Sequence, residues 1–167
     1  QLARWHQLVQ DAVDRGAQAI PLIHPTDNTE LPFTPVALLN VSEDALIMQE
    51  EIFGPILPIV AINDIDSTIR YINERPKPLA LYWFGKDKKV MQRILNETCS
   101  GGVTINDTLL HAAIEDLPFG GIGASGMGAY HGKTGFEAFS HRKSVLEVRG
   151  FFGLNFLRGT NLARPPY

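Results

Sequence analysis

The chain has 167 residues, of which 44% are hydrophobic and 20% charged, and its formal net charge is -3. This balance is typical of a globular protein and excludes the disordered and fibrous classes. The small negative charge argues against a nucleic-acid partner and against an anionic membrane surface, and no apolar run approaches the roughly 18 residues of a membrane span. No Cys and His cluster has the spacing of metal ligands. Because Cys99 is the single cysteine, no internal disulfide can form, and the sequence predicts a reducing, cytoplasmic environment.

The spacing of the apolar residues predicts helices and strands in alternation. In chain order the pattern indicates a helix from Leu2 to Gly16, strands at 19–23, 34–41 and 56–62, a helix after its capping residue Asp64, a strand at 79–84, a helix from Asp87, a strand at 103–106, a helix at 131–141 and a strand at 143–148. A polar turn is expected at 25–30 and an apolar tail at 149–167. Alternating elements predict an α/β fold in which helices cover a parallel sheet.

A glycine-rich segment follows the strand at 103–106, and so long a loop inside a domain is usually functional. Residues 121–126, GIGASG, satisfy the G-x-G-x-x-G pattern of dinucleotide-binding folds. That motif needs a strand running into its first glycine and a helix starting at its last. Here Leu117-Pro118-Phe119 comes before it, and four residues follow before any helix can begin. We therefore interpret the glycines as a sharp turn that approaches other atoms closely and holds Phe119 in place.

Two longer motifs carry a resemblance to a known family. Residues 48–55, MQEEIFGP, resemble a hallmark of the aldehyde dehydrogenase superfamily, and residues 117–126, LPFGGIGASG, resemble its later glycine loop, in the family's order and at about its spacing. Three further segments resemble the class 3 branch of the superfamily: PLALYWF at 78–84, SGGVTIND at 100–107 and MGAYHGK at 127–133. Within that branch, TIND at 104–107 and EDLPF at 115–119 are most similar to coniferyl-aldehyde dehydrogenases. The similarity runs from the first helix to about Val148 and concerns the C-terminal part of these enzymes.

The resemblance implies a fold and an assembly. It assigns residues 1–141 to the C-terminal portion of the parallel-sheet catalytic domain, and residues 142–167 to an oligomerisation strand and a C-terminal tail. In the family the final strand pairs with a hairpin of the oligomerisation region, which implies a homodimer. The apolar tail is expected to pack on its own or its partner's subunit, and no membrane contact is expected.

The resemblance also implies an activity that this segment would not perform alone. In the family a cysteine thiolate attacks an aldehyde, hydride passes to NAD or NADP, and a water activated by a glutamate releases the acid. The family places that cysteine, that glutamate and the oxyanion-binding amide before the segment seen here. The sequence therefore predicts no catalytic residue in these 167 positions, which are expected to be inactive without the rest of the same polypeptide. The alternative is a non-catalytic binding or assembly module that retains the scaffold, which predicts a native N-terminus near Gln1.

Cys99 is predicted not to be the nucleophile. It lies at the C-terminal end of the helix that begins at Asp87, where the helix dipole disfavours a thiolate. Its surroundings, TCSGG, also differ from the family's nucleophile loop.

The candidate site residues follow from the resemblance. It implies that the Glu51 carboxylate accepts hydrogen bonds from the two hydroxyls of the nicotinamide ribose, and that Phe53 lies against the same end of the cofactor. It implies that Phe119 lines the substrate tunnel, with His111, Ala112 and Ala113 near the entrance, where two alanines leave room for a bulky or planar aldehyde. The alternatives are a solvated surface acid at Glu51, a core aromatic at Phe53 and simple packing at Phe119.

Overall fold

The computed structural model describes residues 1–23 and 31–147. The polar turn predicted at 25–30 and the tail predicted at 149–167 lie outside these residues. The chain divides into two compact units. The first unit comprises Gln1–Arg75 and Lys88–Thr98, and the second comprises Pro76–Asp87 and the residues from Cys99 onward.

The first unit is built on a three-stranded sheet. Its elements are α1 (Leu2–Asp14), β1 (Gln18–Pro21), β2 (Val36–Leu39), α2 (Leu46–Gln49), β3 (Ile56–Ile59) and α3 (Ile65–Asn73), together with a helix at Lys88–Glu97. The strand order is β1-β2-β3. β2 and β3 are parallel, with Val36 opposite Ile56, whereas β1 is antiparallel to β2. The sheet thus differs from a wholly parallel one at β1, whose four residues are all exposed, as on an edge strand.

The core of the first unit lies between α1 and the sheet. Leu8 and Ala12, one helical turn apart on α1, are buried, and so is Leu38 in the central strand. Three successive residues of β2, Val36–Leu38, are buried, which is the pattern of a strand covered on both faces. α1 ends as predicted, because Gly16 adopts a left-handed conformation with φ of 98° just past its last turn.

The N-terminus of α3 is capped by Asp64, as predicted. Its carboxylate accepts hydrogen bonds from the Ser67 backbone N–H at 2.7 Å and from the Ser67 hydroxyl at 2.9 Å. The backbone bond, followed by the hydroxyl bond, lowers the pKa of Asp64 from its ordinary value of 3.8. The charged form is therefore the better cap.

We expect Asp64→Asn to remove the part of this cap that depends on pH. Since the folded-state pKa of Asp64 is lowered, its contribution is complete above the ordinary pKa and is lost as the pH falls through the folded-state value. Asn still accepts a hydrogen bond but does not titrate. The melting temperature of the wild type should exceed that of Asp64→Asn at about pH 6, and the gap should close towards about pH 2. A gap that stays constant in thermal melts across this range would contradict the assignment.

The second unit contains a parallel pair of strands followed by short helices. The strands are β4 (Ala80–Trp83) and β5 (Gly102–Ile105), with Ala80 opposite Gly102. The helix at Lys88–Glu97, which belongs to the first unit, is α4. The second unit continues with α5 (Leu110–Ala113), a 3-10 turn at Gly123–Ser125 and α6 (Gly132–Ala138). The short helices α2 and α5 are present in the structure but are not predicted from the sequence.

The described part of the predicted oligomerisation strand at 143–148 forms no strand. Residues 143–147 lie in no strand, and Val148 lies outside the described residues. A strand is held by hydrogen bonds to a neighbour, which the resemblance places in another segment. The boundary at 141/142 and the oligomerisation role stay predictions. Among the helices of the described ranges, none is long and apolar enough to cross a membrane.

Candidate functional site

The loop between α2 and β3 carries the two predicted cofactor residues. Glu51 is exposed, and among the residues that the structure describes its carboxylate has no hydrogen-bond or ion-pair partner. Its neighbour Glu50 is instead paired with Arg4, whose Nη2 lies 3.3 Å from Glu50 Oε2. Of two adjacent acids, one is therefore engaged by the protein and the other is open to a ligand.

Phe53 combines exposure with an unfavourable backbone. Its side chain is 79% exposed, so it is not part of the core that the described residues form. Its φ is 45°, in the left-handed region that bulky residues rarely adopt. Such a conformation costs on the order of 1–3 kcal/mol, and residues of this kind cluster at ligand sites. Phe53 thus presents a free aromatic face from a strained position.

The first turn of α1 contacts the backbone of this loop. Arg4 donates to the carbonyl oxygen of Ile52 at 2.8 Å and also to that of Glu51. The indole N–H of Trp5 donates to the carbonyl oxygen of Phe53 at 3.3 Å. No local sequence signal indicates these contacts, because they join residues 47 or 48 positions apart.

In the second unit, Phe119 closes the glycine-rich turn. The backbone groups of Phe119 and Tyr130 exchange two hydrogen bonds of 2.9 Å each, so that residues 120–129 form a closed loop. A Cβ added to Gly120 would lie 2.1 Å from the carbonyl oxygen of Gly128, so the loop packs too closely on itself for a side chain there. α6 begins only at Gly132. The interpretation as a tight turn that holds Phe119, rather than a dinucleotide motif, is confirmed.

The Phe119 ring is surrounded by other rings. It stacks on His131 with centroids 6.0 Å apart, meets Tyr130 edge-on at 5.7 Å and lies 5.8 Å from His111. The ring is half-buried. A cavity of about 370 Å³ adjoins the glycine turn, and its lining includes Gly120, Tyr130 and Phe139 but not Phe119.

His111 is buried rather than open to solvent, with 8% exposure. The Thr104 hydroxyl oxygen accepts the His111 backbone N–H at 3.4 Å and lies 2.7 Å from Nδ1 of the same residue. The Thr104 hydroxyl and Nδ1 of His111 therefore share a hydrogen bond, and which of the two donates depends on the tautomer of the imidazole. Nε2 is buried without a hydrogen-bond partner among the described residues. Ala112 is half-buried and Ala113 exposed on the same short helix.

The sequence profile described as "Aldehyde dehydrogenase family" matches residues 1–145. The chain belongs to the aldehyde dehydrogenase family. It is 48% identical over 167 residues to "Probable coniferyl aldehyde dehydrogenase" of Pseudomonas aeruginosa, covering 100% of this chain and 33% of that relative. It is 54% identical over 119 residues to "Aldehyde dehydrogenase family 3 member A2" of Mus musculus, covering 71% of this chain and 24% of that relative.

A solved structure confirms the fold as well. It is titled "Substrate bound state of Staphylococcus Aureus AldH", has a TM-score of 0.72 and 43% identity, and is matched over 90% of this chain and 34% of that one. The resemblance to the class 3 branch and to coniferyl-aldehyde dehydrogenases is thereby confirmed. The chain spans about a third of the length of the curated relatives it matches.

Cys99 lies where the sequence predicts it. It is exposed and follows the C-terminus of α4, which ends at Glu97. The negative end of a helix dipole does not stabilise a thiolate. Within the described ranges, no group of three or more His, Cys, Asp or Glu residues could hold a metal ion.

We expect Cys99→Ser to leave activity within about twofold of the wild type, since the change removes no group that the site uses. The measurement is steady-state aldehyde oxidation by the parent polypeptide, by which we mean the longest natural polypeptide that contains this sequence. A folded Cys99→Ser protein without activity would show that Cys99 is the nucleophile after all.

Proposed function

We propose that the parent polypeptide is an NAD(P)-dependent aldehyde dehydrogenase that oxidises a bulky or aromatic aldehyde, such as coniferyl aldehyde, to its carboxylic acid. The observation that carries this proposal is the open carboxylate of Glu51 beside the exposed, strained Phe53. Similarity to a probable coniferyl aldehyde dehydrogenase along the whole chain supports the choice of substrate.

The Glu51–Phe53 loop has the chemistry that a nicotinamide ribose requires. A carboxylate with two free oxygens can accept hydrogen bonds from two neighbouring hydroxyls, and such charge-assisted bonds are stronger than neutral ones. Glu51 is open in this way, whereas Glu50 is held by Arg4. The bound cofactor, NAD or NADP, supplies the hydride acceptor of the reaction. Glu51 orients the ribose, and the exposed ring of Phe53 covers the adjoining end of the cofactor and keeps water away from it.

The residues proposed for the substrate lie in the second unit. Phe119 is held by its ring neighbours and by the backbone pair with Tyr130, so it can present a fixed aromatic wall to a planar aldehyde. Ala112 and Ala113 occupy little volume. Because His111 is buried and bound to Thr104, we assign it to support of this wall rather than to direct substrate contact.

The remaining catalytic groups are proposed to come from other parts of the parent polypeptide. These are the cysteine nucleophile, the glutamate that activates water and the amide that stabilises the oxyanion. The 167 residues alone are then inactive. A homodimer in which residues 142–167 contact the partner is part of the same proposal.

Assays of the parent polypeptide and of the 167-residue chain test this function. We expect the parent polypeptide to reduce NAD or NADP with coniferyl aldehyde, to release the acid in equal amount, and to show kcat/KM at least roughly tenfold higher for coniferyl aldehyde than for propanal. The 167-residue chain should reduce neither cofactor. A folded parent polypeptide without activity on any aldehyde would overturn the proposal and favour a binding module. A preference for propanal would overturn the substrate class alone.

A further inference from the structure

We infer that Arg4 and Trp5 are positioning residues for the nicotinamide cofactor, because they fix the backbone of the loop that presents Glu51 and Phe53. The inference rests on the proposed cofactor role of these two residues. Neither Arg4 nor Trp5 belongs to the motif at 48–55, and both act through the loop rather than on the reacting atoms.

Arg4 holds the loop at three consecutive residues. Its guanidinium donates to the carbonyl oxygens of Glu51 and Ile52 and pairs with the carboxylate of Glu50. A planar guanidinium offers several donors in a fixed fork, which an ammonium group does not. The Arg4 side chain is 32% exposed, so these bonds are partly shielded from water. Pairing with Glu50 also leaves Glu51 as the open acid.

Trp5 holds the loop at the next carbonyl. Its indole N–H donates to the Phe53 oxygen at 3.3 Å, and its ring meets Phe33 edge-on with centroids 5.5 Å apart. A Cβ built on Gly54 would lie 2.2 Å from the indole nitrogen. The ring and the loop backbone are therefore in direct contact, and a side chain at position 54 would displace the indole.

These two contacts lie on the two sides of the strained residue. The peptide group before Phe53 carries the Ile52 carbonyl, which Arg4 binds, and the peptide group after it carries the Phe53 carbonyl, which Trp5 binds. Fixing both peptide planes fixes φ and ψ of Phe53. A left-handed phenylalanine persists only where its surroundings impose it. Arg4 and Trp5 impose this conformation, aided by the Gln1 side-chain amide, which also donates to the Phe53 carbonyl oxygen at 3.3 Å. The Arg4 contacts also orient the backbone of Glu51.

The test compares variants of the parent polypeptide. Arg4→Met removes the donors while keeping a similar aliphatic stem, Arg4→Lys restores the charge but not the planar fork, and Trp5→Phe removes the indole N–H while keeping an aromatic ring. The matched control is Gln10→Met, which removes a side-chain hydrogen bond to Asp14 near the other end of α1. The readouts are the Kd values of NADH and NADPH by titration, and hydrogen exchange in peptides that cover residues 46–56.

We expect Arg4→Met and Trp5→Phe to accelerate exchange at 46–56 and to raise the cofactor Kd roughly tenfold, because the cofactor must then order the loop itself. Arg4→Lys should recover less than half of the loss in binding free energy. Gln10→Met should change neither readout. A purely structural role of Arg4 would lower the melting temperature without changing the Kd.

Glu51→Gln separates the failure of this inference from the failure of the proposed function. If Glu51→Gln weakens cofactor binding but Arg4→Met and Trp5→Phe do not, the inference is overturned and the proposed function stands. If none of the three weakens binding, the cofactor role of Glu51 is overturned and the inference with it. Unchanged exchange at 46–56 also overturns the inference. Should Arg4→Met fail to fold, Trp5→Phe, which keeps the ring beside Phe33, decides the question.

Discussion

Replacement of Glu51 by Gln is expected to slow hydride transfer in the parent polypeptide by about 100-fold, because a small misplacement of a reacting group can lower the reaction rate by about that factor. Gln has nearly the same shape as Glu but only one acceptor oxygen, and it carries no charge. It therefore cannot accept both ribose hydroxyls in the charge-assisted way proposed for the open Glu51 carboxylate. Single-turnover measurement of reduced cofactor isolates this step from product release.

The neighbouring acid provides the matched control for this prediction. Glu50→Gln changes the same kind of group one position away, but Glu50 is paired with Arg4 and its replacement can still accept that hydrogen bond. We expect Glu50→Gln to stay within about threefold of the wild type. A normal rate of hydride transfer in a folded Glu51→Gln protein would refute the ribose contact. Equal losses in both variants would show that net charge, not the position of the carboxylate, matters.

The elements that the sequence predicts correctly have strong local signals. α1 combines apolar residues at helical spacing with Gly16 past its end, and α3 has a side chain at Asp64 that satisfies the free N–H groups of its first turn. The four-residue helices α2 and α5 span barely one turn, too short for helical periodicity to register. The antiparallel direction of β1 is set by pairing with β2, which no single strand sequence specifies.

The candidate site divides in the same way. Glu51, Phe53 and Phe119 are identified by motif resemblance, because contiguous residues carry it. The contacts that give the Glu51 loop its shape come from Arg4 and Trp5, which lie far away in the sequence. The sequence does not predict the burial of His111 either, because a lone histidine in a segment of small residues gives no indication that Thr104 is its partner. Site residues that belong to one contiguous motif can be identified from the sequence. The contacts that hold them in place join residues that are far apart along the chain, and the sequence does not show those contacts.

Gly102→Ala is expected to destabilise the protein by about 1–3 kcal/mol, the usual cost of overpacking, and to raise the KM for a bulky aldehyde. A Cβ at position 102 would lie 2.4 Å from Cδ2 and 2.8 Å from Nε2 of His111. The imidazole cannot move aside without losing its 2.7 Å contact with Thr104. Because the same ring packs beside Phe119, its displacement should carry over to the proposed substrate wall. Denaturant unfolding and steady-state kinetics of the parent polypeptide measure the two effects.

A second substitution shows whether His111 is the cause. In a His111→Ala background the obstructing ring is gone, so Gly102→Ala should cost less than about 0.5 kcal/mol, and the two changes should be strongly non-additive. Gly135→Ala is the matched control, because a Cβ in α6 would meet its neighbours only at 3.7 Å or more, an ordinary contact distance. Equal costs of Gly102→Ala in the two backgrounds would exclude the contact with His111. If Gly102→Ala lowers the free energy of unfolding and raises the KM only where His111 is present, His111 supports the position of Phe119.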